Sequence, residues 1–304
     1  MVSIQKIKFQ DFDKVRPILS EFQDSEVNWK SIFDYPWNTD KDFCGYGLFD
    51  NNDIVGFIGL IFSQRIIDFQ LEKFCNIHSW IIKEKYRNYG VFMAQSIGRL
   101  KNYTLTDVTP SESVCKIFEY LGFKELDSKL SILLIMPWQN FNQDKDKRSI
   151  SFSTSKDEIS TILNSQDFQI FEDHQPYLCH HLVAHYYQEY CYLVYSSFRQ
   201  NKISYCHIQY ISNSDFFARN SLKIRHKIFQ KNKTPFILTD HRFIKEMMLP
   251  FTYTLPLEWK KIYRSNTLSS EQIDNLYTEN IILNLSNIPE LREIFHRLIK
   301  TLKF

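Results

Sequence analysis

One segment of the chain joins an apolar run, a basic turn and the predicted start of a helix. Ile81 and Ile82 end the apolar run, Arg87 lies in the turn, and Gly90 lies where the helix should begin. Backbone N–H groups at a helix start point outward, and the positive end of the helix dipole favours anions. The chemistry that this spacing indicates is the binding of a diphosphate.

A second segment follows at residues 110–123. It reads as a helix that begins at Pro110 and Ser111 and stops at Gly122, with Phe123 after the stop. In this order and spacing, the two segments resemble the GNAT superfamily of acyl-CoA-dependent acyltransferases. The resemblance implies that acetyl-CoA, or another acyl-CoA, is the co-substrate.

The resemblance also implies which residues hold the coenzyme. They are Ile81, Ile82, Arg87, Asn88, Tyr89, Gly90, Val91, Phe92 and Ser111. Arg87 and Gly90 match the family pattern Arg/Gln-x-x-Gly-x-Gly/Ala, whereas Phe92 stands where the family has Gly or Ala. Ser111 has two interpretations, a contact with the coenzyme and an N-cap of the helix.

Acyl transfer also needs a base that deprotonates the acceptor. Side chains alternate along a strand, so Asn76, His78 and Trp80 should share one face of the strand before the turn. Family members with a base on this strand place a carboxylate near Asn76, and an amide cannot replace it. We predict that His78 is the base or that it orients a water molecule. An equally weighted alternative is that His78 is a hydrogen-bonded structural histidine. Glu72, at the start of the strand, is a further candidate.

Other residues that could carry chemistry are interpreted as structural. Family members often have at this position a Tyr that acts as the general acid toward the leaving thiolate. Phe118 stands there in this chain, so the role of general acid is vacant. The six cysteines form no CxxC pair and are predicted to be reduced, mostly buried thiols. His181 and His185 lie four apart on a predicted helix, which is a metal-ligand spacing, but a third ligand is not evident and no metal is expected.

The elements around these residues follow from apolar periodicity. Strands are predicted at residues 2–9, 45–49, 54–62, 74–82, 104–108 and 128–136, and helices at 11–22, 29–33, 91–101 and 111–121. This is the GNAT order. It implies an α/β fold with a mixed, mostly antiparallel sheet flanked by helices. Coenzyme A should lie in a splay between the strand that ends near Ile82 and the strand at 104–108.

The second half of the chain is predicted to form a further α/β domain. Helices are expected at residues 156–163, 178–187, 216–230 and 291–302, and strands at 190–198, 203–211 and 235–238. This order echoes the first half, so a degenerate GNAT-like repeat that shapes the acceptor pocket is one interpretation. We place the GNAT-like domain at 1–138, a polar linker at 139–150 and the second domain at 151–304.

The amino-acid composition limits the classes of partner that the protein can have. The 304 residues include 37 basic and 35 acidic ones, and this balance argues against nucleic acid. No stretch reaches the apolar length of a membrane span, and residues 1–6 show no signal-peptide core, so we expect a cytoplasmic protein. A homodimer is compatible with the sequence.

A looser resemblance, over residues 80–127, is to two-domain GNAT-like proteins of bacterial surface-polysaccharide gene clusters. It implies a sugar or sugar-nucleotide acceptor that is acylated on an amine or hydroxyl. Two alternatives stay open: a non-catalytic GNAT-like binding or scaffold protein, and an acyltransferase that takes its acyl group from acyl carrier protein. Phe92, Asn76 and Phe118 favour the non-catalytic alternative, and His78, Arg87 and Gly90 favour the enzyme.

Overall fold

The structure, a computed structural model, describes residues 1–22, 27–37, 39–135, 150–294 and 296. It divides into two compact units, each made from two stretches of chain. The first unit takes residues 1–126 and 259–285, and the second takes 127–258 and 286–304 as far as they are described. The predicted linker at 139–150 lies outside the described residues except for Ile150.

The strands are β1 (Val2–Ile7), β2 (Gly45–Asp50), β3 (Asp53–Ile67), β4 (Gln70–Ile82), β5 (Thr104–Asp107), β6 (Lys124–Leu134), β7 (Ser151–Ser153), β8 (His180–Tyr186), β9 (Glu189–Gln200), β10 (Ile203–Ile211), β11 (Phe236–Asp240) and β12 (Thr252–Arg264). The helices are α1 (Phe12–Phe22), α2 (Gly90–Gly98), α3 (Glu112–Tyr120), α4 (Lys156–Ile162), α5 (Ser165–His174), α6 (Ser214–Asn232) and α7 (Glu279–Ile282). No helix within the described ranges has both the length and the apolar character needed to cross a bilayer.

The first unit contains the strand order β1-β2-β3-β4-β5-β12. Its neighbouring strands pair antiparallel except for β4 and β5, which are parallel. The fold is therefore α/β with a mixed, mostly antiparallel sheet, as predicted. The ladder between β4 and β5 joins Phe74–Asn76 to Thr104–Thr106, whereas β4 continues to Ile82. The two strands thus separate after Asn76, which gives the predicted splay.

A β-bulge interrupts β4 just beyond the splay's origin. His78 pairs with Gly59 and Ile81 pairs with Phe57, so two residues of β4 oppose one of β3. Ser79 takes a left-handed backbone with φ of 48°. The extra residue resets the alternation of side chains. Trp80 therefore packs into the core that holds Cys75 and Phe118, and the prediction that it shares a face with His78 is wrong.

The closing strand of each unit comes from the other half of the sequence. The strand predicted at 128–136 to complete the first domain forms as β6, but it pairs antiparallel with β11 in the second unit. The place beside β5 is taken by β12, where Ile262 pairs with Asp107. No periodic signal predicted β12. Because the open edge of β5 needs hydrogen-bond partners, either strand could have filled it, and only tertiary pairing decided which did.

The second unit repeats the pairing pattern of the first. β8, β9 and β10 form an antiparallel meander, α6 follows, and β11 pairs in parallel with β10 over three residues. The helix predicted at 178–187 is wrong, since these residues form β8. His181 donates to or accepts from the Tyr192 hydroxyl at 2.7 Å, so cross-strand pairing with β9 overrides the helical spacing of the histidines.

Two helices pack on one face of the first unit's sheet, near the splay. Met93, Ala94 and Ile97 of α2 recur at helical spacing and are buried there, together with Cys115 and Phe118 of α3. Burial of these side chains fixes the start of α2 and the start of α3 relative to β4. The opposite face of β4 carries Asn76 and His78.

Candidate active site

The site is built at the point where β4 leaves β5. Asn76 of β4 and Thr106 of β5 are paired in register, and both are buried. The Thr106 hydroxyl donates to Asn76 Oδ1 at 3.2 Å. Because its oxygen is engaged, the Asn76 amide must direct its NH2 group elsewhere.

The Asn76 NH2 group meets a carboxylate that the sequence reasoning missed. Asn76 Nδ2 donates to Glu279 Oε2 at 2.5 Å, and the Thr109 hydroxyl donates to Glu279 Oε1 at 2.9 Å. Glu279 is 4% exposed, and burial raises the pKa of its carboxyl. The two oxygens of Glu279 therefore link β4 to the residue just beyond β5, across the start of the splay.

A second carboxyl lies beside the first. Asp107, at the end of β5, is 4% exposed and accepts from the Thr109 N–H at 3.1 Å. Burial, and then the charge of Glu279, raise the pKa of Asp107 well above its ordinary value. The charge of Glu279 therefore makes the ionisation of Asp107 less favourable, beyond the effect of burial.

The segment that carries Glu279 is fixed to the first unit by long-range contacts. Arg65 of β3 forms an ion pair with Asp274, and both side chains are about nine-tenths buried. The rings of Trp37 and Tyr277 meet edge to face at 5.0 Å. This segment mixes apolar and polar residues in sequence, and the structure buries several of the polar ones, Asn275, Thr278, Glu279 and Asn280. The local sequence therefore carries no signal that would have identified Glu279 as part of the site.

His78, the predicted base, lies on the same face two residues further along β4. Its ring covers Gly59, where an added Cβ would stand 2.1 Å from His78 Cε1. Nδ1 lies 3.1 Å from the Ser79 hydroxyl, and Nε2 has no hydrogen-bond partner among the described residues. Burial lowers the pKa of His78 to about 3. The imidazole is therefore neutral at physiological pH and weakly basic.

Glu72 lies away from the splay. It stands four residues before Asn76, which corresponds to roughly 13 Å along a strand. Its Oε2 accepts from the Thr267 hydroxyl at 2.9 Å. The structure brings Asn76, but not Glu72, to the buried carboxyls.

The predicted open turn before α2 is a 3-10 helix, Glu84–Tyr89, that runs directly into α2. The Tyr86 N–H donates to Lys83 O at 2.8 Å, and the Gly90 N–H donates to Arg87 O. A 3-10 helix pairs its N–H groups internally, so fewer of them point outward than we expected.

The side chains around this helix are mostly at the surface. Arg87, Asn88, Tyr89, Val91 and Phe92 are exposed, whereas Ile81 and Gly90 are buried and Ile82 is half-buried. Phe92 is 55% exposed and its ring contacts that of Tyr89 at 6.3 Å. Phe92 therefore lies on the surface in the first turn of α2, where a small residue would leave room for a diphosphate.

The start of α3 is capped by its own serine. The Val114 N–H donates to Ser111 Oγ at 3.3 Å, which is the N-cap interpretation of this residue. Phe118 is fully buried and stacks on Phe123 at 4.5 Å between centroids. The Phe118 side chain therefore packs in the core and cannot donate a proton. Within the described ranges, no group of three or more His, Cys, Asp or Glu side chains is arranged to hold a metal ion.

Solved structures share this architecture. A GCN5-related N-acetyltransferase from Anabaena variabilis superposes with a TM-score of 0.57 at 10% identity, covering 87% of this chain and 72% of that one. One from Kribbella flavida does so with a TM-score of 0.52 at 10% identity, covering 87% and 71%. A conserved Enterococcus faecalis protein of unknown function reaches 0.55 at 10% identity, covering 87% and 72%.

At such low identity these likenesses establish the fold. The chain has the fold of the GCN5-related N-acetyltransferases, as the sequence motifs indicated. No protein-family model matches the sequence, and no curated protein matches it in sequence.

Proposed function

We propose that this chain is an acyl-CoA-dependent acyltransferase that uses the splay between β4 and β5. The observation that carries the proposal is the separation of two parallel strands at Asn76, with two buried carboxyls at the point of separation. A cleft between strands admits an extended thioester, and buried carboxyls whose pKa values are raised are suited to acid–base roles in acyl transfer. The shared fold with N-acetyltransferases supports the same class of reaction.

The coenzyme would lie along the second half of β4 and the start of α2. Ile81 and Ile82 would line its arm, and Arg87 would meet its phosphates, because an exposed guanidinium is suited to paired phosphate oxygens. Asn88, Tyr89, Gly90, Val91, Phe92 and Ser111 would complete the site. Acetyl-CoA is the proposed donor.

The acceptor that we propose is an amine or hydroxyl of a sugar or sugar-nucleotide precursor of a bacterial surface polysaccharide. This part of the proposal rests on the looser resemblance of residues 80–127 and on no geometric observation. It is therefore tested separately from donor binding.

A second candidate function is binding without catalysis. The 3-10 helix before α2 and the exposed Phe92 favour it, because together they reduce the N–H groups and the space available to a diphosphate. The same features are compatible with a donor carried on acyl carrier protein.

Calorimetric titration with acetyl-CoA and with CoA tests the proposal. Micromolar binding that is lost in Arg87→Glu, but kept in the matched variant Arg99→Glu beyond the end of α2, would support it. If the folded wild-type protein binds neither molecule, CoA-dependent transfer is excluded and the second candidate, or a carrier-protein donor, takes its place.

A further inference from the structure

We infer that Glu279 and Asp107 act as the acid–base pair of the transfer, with Glu279 as the base toward the acceptor and Asp107 as the acid toward the leaving thiolate. The inference rests on the proposed function and names its catalytic residues. It also moves the base from β4, where His78 and Glu72 were the candidates, to the segment that carries Glu279 and returns to the first unit from the second half of the chain.

The contacts of Glu279 are those of a positioned group. Each of its oxygens accepts one hydrogen bond, from Asn76 on one side of the splay and from Thr109 on the other. Thr106 in turn holds the Asn76 amide in the orientation that donates. Asn76 is thus a positioning residue: an amide at this place presents a carboxylate from elsewhere in the chain.

Asp107 is held more loosely. Its single side-chain hydrogen bond among the described residues comes from the Thr109 N–H, which leaves Oδ2 available to a reacting group. This difference in hydrogen bonding assigns the role of base to Glu279 and the role of acid to Asp107. The carboxyl with two donors is stabilised as the anion, and its neighbour keeps the proton that the pair holds.

This assignment balances the reaction. The acceptor nitrogen or oxygen attacks the thioester carbonyl, and its proton passes to the Glu279 carboxylate. The carbon–sulfur bond breaks, and the Asp107 carboxyl gives its proton to the thiolate. A proton then moves from Glu279 to Asp107, and the starting state is restored with free CoA and acylated acceptor.

Two other titratable side chains interact with the pair. Burial raises the pKa of Glu279, and the positive charge of Lys261 in β12 offsets part of that rise. Burial, and then the charge of Asp107, raise the pKa of Cys115 in α3. The donors that the structure gives to the two carboxyls are the Asn76 amide, the Thr109 hydroxyl and the Thr109 N–H. Variants at Glu279 and Asp107 therefore report on the pair itself.

The first test needs no acceptor. Protein labelled with carbon-13 at Asp and Glu carboxyls is titrated by NMR, in wild type, Glu279→Gln and the control Glu119→Gln on the exposed side of α3. We expect Asp107 to titrate at lower pH in Glu279→Gln, because the neighbouring charge is gone, and to be unchanged in Glu119→Gln. An Asp107 titration that does not move in Glu279→Gln would overturn the inference even if the protein binds acetyl-CoA.

The second test measures turnover. CoA release from acetyl-CoA is followed with glucosamine and with UDP-glucosamine as probe acceptors. We expect Glu279→Gln to bind acetyl-CoA as the wild type does but to lose about 100- to 10,000-fold in turnover. Full turnover in that variant would refute the role of Glu279 and leave the acyltransferase proposal intact. Lack of acetyl-CoA binding by the wild type would instead refute the proposed function.

Discussion

The neutral, buried His78 should make the first unit sensitive to acid. Its pKa is lowered from an ordinary value of 6.5 to about 3 by burial. The unfolded chain therefore takes up a proton below pH 6.5 that the folded chain refuses until about pH 3. Since the unfolded state then binds more protons, stability is lost as the pH falls through this window.

The size of the effect follows from the two values. Between pH 7 and pH 5 the unfolded histidine becomes almost fully protonated while the folded one does not, which costs about 2 kcal/mol of unfolding free energy. The full window, from 6.5 to 3, corresponds to an upper limit of about 5 kcal/mol. His78→Gln removes the titrating group. The difference in stability between wild type and His78→Gln should therefore shift by about 2 kcal/mol in favour of the variant between pH 7 and pH 5.

Urea unfolding followed by tryptophan fluorescence measures this difference. Four of the five tryptophans, Trp29, Trp37, Trp80 and Trp259, lie in the first unit, and in a Trp138→Phe background the signal reports the unit that holds His78. His226→Gln, on α6 of the second unit, is the control. A stability difference for His78→Gln that stays constant from pH 7 to pH 5 would show that the imidazole is not held neutral, and the reasoning from burial would fail.

Two further predictions concern the packing that positions the site. Gly59→Ala places a Cβ 2.1 Å from the His78 ring and should destabilise the first unit by about 1–3 kcal/mol, whereas Gly98→Ala, whose nearest neighbour is 3.9 Å away, should be neutral or stabilising by up to about 1 kcal/mol. Urea unfolding of both variants measures the two changes in stability. Equal changes would mean that the His78 ring moves aside without cost and would contradict the prediction. Arg65→Met leaves Asp274 buried without its partner and should cost about 3–5 kcal/mol. Replacing both residues by Met and Leu should recover much of that loss in the same assay, and a double variant as unstable as the single one would contradict it.

Sequence periodicity was sufficient for the local structure of the first unit. The alternation along β4 placed Asn76 and His78 on one face, and the glycine and aromatic spacing around α2 and α3 indicated the acetyltransferase fold. Ser111 could be interpreted as a cap because an N-cap needs only its own helix. These features depend on residues that are close to one another in sequence, so local patterns are sufficient to predict them.

The bulge at Ser79, the exchange of β6 and β12, and the arrival of Glu279 depended on tertiary structure. Glu279 is 203 positions from Asn76, and its carboxylate finds that amide because the returning segment docks on β3 through Arg65 and Asp274. Pairing between distant strands leaves no local signature, since any unpaired edge accepts any strand of suitable length. The sequence alone therefore determined the type of fold and the strand that carries Asn76, and only the assembled unit decided which carboxylate that amide holds.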